Sequence, residues 1–107
     1  MILDAPTPHA SCVAAEGRGL LIVGRPGAGK SALALDLLAL GAELVADDVV
    51  GLRRAEGGVE AFAPAARGLV EARGIGVLRL PARAAARVAL VLDLDRAEAE
   101  RLPPRPR

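Results

Sequence analysis

The sequence has 107 residues, of which 52% are hydrophobic, 25% are charged and 1% are aromatic, and its formal net charge is +1. This length supports one hydrophobic core, so we predict a single domain over residues 1–107. With little net charge and only one aromatic residue, Phe62, the chain offers nucleic acid neither long-range attraction nor a stacking surface.

The apolar runs are far shorter than the ~20 residues that cross a bilayer. No signal peptide is visible. The single cysteine, Cys12, suits a reducing cytosol. We therefore expect a cytoplasmic protein without nucleic-acid or membrane partners.

The hydrophobic pattern predicts an α/β fold with a mixed sheet. Leu33, Leu37 and Leu40 repeat at helical spacing and Gly41 follows them, which is typical of a helix and its end. A strand and tight turn before the second strand are unusual for doubly wound nucleotide-binding sheets and indicate mixed strand directions. In chain order we predict strands over 9–15 and 19–23, a helix over 30–40, strands over 43–46, 49–53 and 59–62, a loop or helical turn over 65–68, a bent strand or loop–strand over 69–80, a buried strand over 88–94 and a short helix over 96–102.

Residues 24–31 carry the most specific functional signal. They have the P-loop spacing G-x-x-x-x-G-K-S between an apolar strand and a helix. Glycines let backbone N–H groups turn toward a polyphosphate, and the N-terminus of the following helix adds further donors. Lys30, the only lysine in the chain, would neutralise the β- and γ-phosphates, and the Ser31 hydroxyl would bind Mg²⁺. The predicted phosphate-binding residues are Gly24, Arg25, Pro26, Gly27, Ala28, Gly29, Lys30 and Ser31.

Phosphoryl transfer also needs acidic groups that hold the metal and orient the nucleophile. The sequence offers three candidates: the adjacent pair Asp47 and Asp48, Glu71, and the pair Asp93 and Asp95. Asp47 and Asp48 follow a predicted strand, and the ends of strands are where α/β sheets place their ligands. The strand before Asp93 resembles a Walker B strand, although many buried strands end at an acidic residue.

Four segments together resemble the catalytic domain of bacterial HPr kinase/phosphorylase. They are H-A-S-C-V at 9–13, the P-loop at 24–31, L-V-A-D-D at 44–48 and L-V-E-A-R-G-I-G at 69–76. The resemblance covers residues 9–102. It implies a fold related to phosphoenolpyruvate carboxykinase, and ATP- and Mg²⁺-dependent phosphorylation of a serine on the phosphocarrier protein HPr. It also implies the reverse reaction with inorganic phosphate, which yields pyrophosphate, and a role in the regulation of carbohydrate metabolism.

The resemblance also implies roles for individual residues. Lys30 holds the phosphates, and Ser31 and Glu71 bind Mg²⁺. Asp48 is the base toward the serine hydroxyl, and Asp47 supports the metal or its waters, although the two aspartates are alternatives for the base. His9 assists at the phosphoryl site. The chain resembles short family members without an N-terminal regulatory domain. We also expect it to stop before the family's C-terminal segment. The phosphorylase reaction, HPr docking and the family's hexamer are therefore weaker expectations.

Two other functions are compatible with the residues. One is a nucleotide- or polyphosphate-binding sensor without transferase activity. The other is a P-loop kinase for a small molecule, which would need a lid with arginines, and Arg79, Arg83 and Arg87 lie in the only stretch that offers one.

Overall fold

The computed structural model describes residues 6–64, 68–72 and 76–96. Within these ranges the chain forms seven strands and one complete helix. They are β1 Pro6–Ala15, β2 Arg18–Val23, α1 Lys30–Ala39, β3 Glu43–Ala55, β4 Gly58–Phe62, β5 Leu69–Ala72, β6 Gly76–Arg79 and β7 Ala85–Asp93. In the same ranges, no helix combines the length and the apolar character that a membrane crossing requires.

Five strands form a sheet that closes on itself in the order β1-β2-β7-β4-β3, with β3 paired again to β1. β2 and β7 run parallel, whereas the other neighbours run antiparallel, so the predicted mixed sheet is confirmed. β5 and β6 form a separate two-stranded sheet. Because β2 and β7 are parallel, the loop after β2 and the chain after β7 leave the sheet at the same end.

The hydrophobic core has two parts, one inside the closed sheet and one beneath the helix. A ring of five strands is narrow, so small side chains fill much of its interior. The buried residues there are Ala10, Cys12, Ala14, Leu21, Val45, Ala46, Val50, Ala61 and Ala86. On the outer face, Val13 of β1 and Ile22 of β2 pack with Ala34 of α1. The helix is thereby fixed against the two strands that flank the turn at 16–17.

The helix ends at Ala39 with Leu40 as its cap, and the predicted glycine follows. Gly41 has φ 109°, and its N–H donates to the Leu38 carbonyl, while the Ala42 N–H donates to the Leu37 carbonyl, both at 3.0 Å. This pair of bonds is the Schellman arrangement, which favours glycine because the backbone is left-handed there.

Four predicted elements differ from the structure. The strands predicted over 43–46 and 49–53 are one continuous strand, β3, because Val49 and Val50 continue the pairing with β1. The stretch over 69–80 is a hairpin of β5 and β6 rather than a bent strand. The strand predicted to be buried over 88–94 is β7, and its residues from Val88 to Asp93 are half-buried or exposed, with Leu90 and Val91 at 63% and 55% exposure. Only Ala85–Arg87 of β7 pair with β4, which leaves the rest of that strand with one neighbour among the described residues.

Gly51 makes room for the only aromatic ring. It lies opposite Phe62 in the β3–β4 pair, and a Cβ on Gly51 would come within 2.5 Å of the ring. The ring also carries the Arg53 guanidinium, whose carbon lies 4.4 Å from the ring centroid. We expect Gly51→Ala to lower the free energy of unfolding by about 1–3 kcal/mol, because the ring must shift within a packed sheet.

Thermal and chemical unfolding of the variants would measure this loss. Gly58→Ala is the matched control in the same hairpin, because its Cβ would meet no atom closer than 3.6 Å and its φ is ordinary. Equal stabilities of the two variants would contradict the steric explanation.

Candidate active site

The loop between β2 and α1 surrounds the ammonium group of Lys30. The Lys30 Nζ donates to the carbonyl oxygens of Gly24 and Arg25, each at 2.8 Å, and the residue is 8% exposed. An ammonium has three protons. Among the described residues these two carbonyls are its hydrogen-bond acceptors, so the loop itself leaves one proton for another acceptor. The charge is thus held in place, and no carboxylate among the described side chains pairs with it.

The start of α1 is open to an anion. Gly27 and Gly29 have φ 86° and 101°, a backbone conformation that residues with a Cβ adopt with strain. Gly29 is the residue that caps the helix, and none of the described side chains accepts a hydrogen bond from the first-turn N–H groups. No acidic residue lies in the first turn either. These N–H groups and the helix dipole therefore favour a negative ligand at this position.

Asp47 connects β3 to the start of the helix. The Ser31 hydroxyl lies 2.9 Å and 3.0 Å from the two Asp47 carboxylate oxygens, and it can donate its proton to either of them. From the other side, the Ser11 hydroxyl donates to Asp47 Oδ1 at 2.5 Å. Ser11 and Lys30 are the buried polar or charged residues in the described part of the chain, and both lie at this site. The carboxylate of Asp47 is therefore fixed beside the residue that follows Lys30.

Asp48 and His9 lie next to each other in an irregular part of the sheet. The β1–β3 register skips His9 between Pro8 and Ala10, and Ala10 pairs with Asp48, so His9 is the extra residue of a bulge. His9 and Asp48 have φ 57° and 72°. Left-handed backbone at non-glycine residues costs free energy and is concentrated at functional sites. Both residues are exposed, and the Asp48 carboxylate makes no hydrogen bond or ion pair with the described residues.

The position of the two aspartates differs from the prediction in one respect. They do not end a strand but lie inside β3, because the apolar residues after them pair with β1 and extend the strand. The bulge and the left-handed Asp48 interrupt the ladder here.

Asp93 and Asp95 support the loop and the chain after β7. The Asp93 Oδ1 accepts from the N–H groups of Asp95 and Arg96 at 3.0 Å and 3.3 Å, which is how an N-terminal helix cap behaves. The Asp95 Oδ2 accepts from the Arg25 N–H at 3.1 Å, and its other oxygen lies 3.7 Å from the Arg25 guanidinium. The Asp93 carboxylate, which resembled the end of a Walker B strand, therefore already accepts hydrogen bonds from backbone N–H groups.

The remaining candidates are only partly described. Glu71 belongs to β5, where it pairs with Val77, and its side chain lies outside the described part of the structure, as do residues 73–75. β5 contacts both α1 and β3, the two elements that carry Ser31 and Asp47. Among the described side chains, no three His, Cys, Asp or Glu residues gather at one point.

Cys12, Arg83 and Arg87 lie away from the contacts of this site. Burial raises the pKa of the Cys12 thiol to about 12, as expected for a core residue. Arg87 pairs with Arg18 at the beginning of β2, the end opposite the loop, and its guanidinium donates to the Glu56 carbonyl. Arg83 is bound to Glu43 at 3.1 Å. Neither arginine is placed to cover the loop as a lid.

The sequence pattern indicates neither the bond of Ser11 to Asp47 nor the contact of Asp95 with the loop. Ser11 bonds to Asp47 because β1 pairs with β3, and nothing in the local pattern around either residue indicates that pairing. Asp95 reaches Arg25 because β2 and β7 are parallel neighbours.

Comparison of the sequence with known proteins identifies a family and several relatives. The family model of the HPr Serine kinase C-terminal domain matches residues 3–100. The HPr kinase/phosphorylase of Bordetella pertussis is 41% identical over 91% of this chain and 36% of its own length. The proteins of the same name from Nitrosomonas europaea and Clostridium novyi are 42% and 40% identical, over 75% and 69% of this chain. The chain spans 24% to 36% of the length of these three relatives.

A solved structure has the same architecture. The Hpr(Ser) kinase/phosphatase from Coxiella burnetii matches 83% of this chain and 64% of its own chain, with a TM-score of 0.76 and 29% sequence identity. The two chains therefore share a mixed α/β fold with a strand-dominated sheet over the matched part.

Proposed function

Because this chain belongs to the HPr serine kinase C-terminal domain family, we propose that it transfers the γ-phosphoryl group of ATP to a serine of an HPr-type phosphocarrier protein. Four separate segments of the sequence predicted this family, and the match of the family model confirms it. The observation that carries the proposed activity is the contact of Ser31 with Asp47, which joins the acidic pair of β3 to the loop that holds Lys30.

The loop over 24–31 acts in this proposal as a P-loop. The third Lys30 proton and the open N–H groups of α1 receive phosphate oxygens, and the glycines at 27 and 29 keep the backbone in the shape that lets these donors converge. Asp95 supports that shape through its bond to the Arg25 N–H. The relation of the fold to phosphoenolpyruvate carboxykinase belongs to the same proposal.

The residues at the start of α1 suit Mg²⁺. Mg²⁺ prefers oxygen ligands and is bound by one or two carboxylates together with substrate phosphates. The Ser31 hydroxyl and the Asp47 carboxylate are adjacent oxygen groups at the helix start, and Glu71 of the neighbouring strand is the further ligand. The cation would neutralise charge on the phosphates.

Asp48 is proposed as the base, and His9 as its neighbour at the phosphoryl group. Asp47 already accepts hydrogen bonds from Ser11 and Ser31, whereas Asp48 is exposed and accepts none from the described residues. Asp48 takes the proton of the substrate serine, the serine oxygen forms a bond to the γ-phosphorus, and the bond to the β–γ bridging oxygen breaks to release ADP. In the reverse reaction, inorganic phosphate accepts the phosphoryl group to give pyrophosphate, and Asp48 returns the proton.

The experiment is incubation of the chain with γ-labelled ATP, Mg²⁺ and an HPr-type protein from the same host. We expect label on one serine of the acceptor, no label on a Ser→Ala acceptor, and release of pyrophosphate when phosphate is added to the labelled product. Saturable ATP binding without transfer to any HPr-type protein would instead support a nucleotide-binding sensor. Transfer to a metabolite alone would support a small-molecule kinase, which the positions of Arg83 and Arg87 disfavour. A cytoplasmic location, a role in regulating carbohydrate metabolism and assembly with further copies of the chain are parts of the same proposal.

A further inference from the structure

Ser11 is a buried hydroxyl in an otherwise apolar stretch of β1. It is 1% exposed, and its neighbours Ala10 and Cys12 are completely buried. A buried hydroxyl without a partner costs free energy, so the direction of its hydrogen bond is informative. Ser11 lies directly opposite Asp47 in the β1–β3 pair, and its Oγ donates to Asp47 Oδ1 at 2.5 Å.

Asp47 is thereby bound from two sides by hydroxyl groups of different elements. Ser11 donates from β1, and Ser31 contacts the carboxylate from α1. The two restraints are not equivalent, because the Ser31 hydroxyl is also the group proposed to bind the metal. Ser11 is buried, and no role in binding the metal is proposed for its hydroxyl. It is therefore the fixed restraint on the orientation of the carboxylate.

We propose that Ser11 is a positioning residue that orients the Asp47 carboxylate for Mg²⁺ bound with a nucleotide. This inference rests on the proposed function, since it requires a metal–nucleotide complex at the loop. Ser11 touches neither phosphate nor metal, and it acts only through Asp47. Groups that hold a metal-binding carboxylate in place commonly change metal affinity strongly when they are removed.

The test compares Ser11→Thr with Ser11→Val. Threonine and valine have the same branched shape, so the two variants fill the buried position alike and differ in whether a hydroxyl or a methyl group occupies one branch. Binding of a fluorescent ATP analogue is measured while Mg²⁺ is varied, and again with the metal chelated. We expect Ser11→Val to need about 10-fold more Mg²⁺ for half-maximal binding than Ser11→Thr, while both variants bind the metal-free nucleotide equally.

A double substitution identifies the route of the effect. If Ser11 acts through Asp47, Ser11→Val has no further effect on the Mg²⁺ requirement in an Asp47→Ala background. Thermal unfolding without nucleotide reports whether each variant folds, and Ser11→Ala replaces Ser11→Val if the larger side chain prevents folding.

The outcomes separate this inference from the proposed kinase. Equal Mg²⁺ requirements of the threonine and valine variants would overturn the role of Ser11, as would nucleotide binding by the unchanged protein that does not depend on Mg²⁺. A clear difference between the variants, together with no phosphoryl transfer to any HPr-type protein, would support the role of Ser11 and overturn only the kinase.

Discussion

Replacing Lys30 with methionine is expected to lower the affinity for ATP by about 100-fold, since hydrogen bonds to charged groups contribute about 1.5–3 kcal/mol each. Methionine keeps an unbranched side chain of similar reach, so the buried position remains filled while the ammonium is lost. Isothermal titration with ATP and Mg²⁺ measures the change. Lys30→Arg is expected to fail as well, because a planar guanidinium does not fit a place where a compact ammonium contacts two carbonyls.

The control for Lys30 is Arg54→Met, which removes one positive charge from an exposed position on β3. We expect its ATP affinity to be unchanged. Inorganic triphosphate serves as a second ligand, because the proposal assigns the interaction to phosphate groups rather than to the base. If Lys30→Met binds triphosphate as the unchanged protein does, the loop is not the phosphate site.

Replacing Asp48 with asparagine is expected to reduce phosphoryl transfer by about 10²- to 10⁴-fold, the usual contribution of a general base. Affinity for ATP should stay within about threefold, since the base acts on the serine proton and not on the phosphates. Asparagine is the suitable replacement because it tolerates the left-handed backbone found at this residue, φ 72°. Single-turnover transfer to an HPr-type protein, with ATP binding measured in parallel, gives both values.

Asp36→Asn provides the matched control, because it removes an exposed carboxylate from α1. Asp47→Asn distinguishes the two neighbouring acids: it should raise the Mg²⁺ requirement, whereas Asp48→Asn should not. Full transfer by Asp48→Asn combined with loss of transfer by Asp47→Asn would assign the base to Asp47 instead.

Local sequence patterns were sufficient to predict the loop over 24–31 and the strand and helix on either side of it. Four apolar residues before Gly24 predict β2, and the leucines after Ser31 predict α1 and its end at Gly41. Such signals depend on residues that are close in sequence, and here the helical and strand periods do not conflict. The general chemistry of phosphoryl transfer left three acidic candidates open, and the resemblance to the family implied that Asp47 supports the metal.

Contacts between distant strands were not predictable in this way. The bond between Ser11 and Asp47 requires the β1–β3 register, and the continuous β3 depends on the same pairing. Likewise, the apolar run of β7 suggests a buried strand, but burial depends on what lies against it, and only part of β7 has two neighbours among the described residues. Register and coverage are properties of the assembled sheet.

The placement of Lys30 has a practical consequence for chemical modification of this protein. Its ε-amine is the only side-chain amine in the sequence, and it lies under the loop with 8% exposure and two carbonyl partners. An acylating reagent thus has one side-chain target, and coupling through that target removes the charge on which the loop depends. Immobilisation or dye labelling through lysine would therefore modify the amine that we propose holds the phosphates, and the extent of modification at Lys30 measures how often this amine becomes accessible.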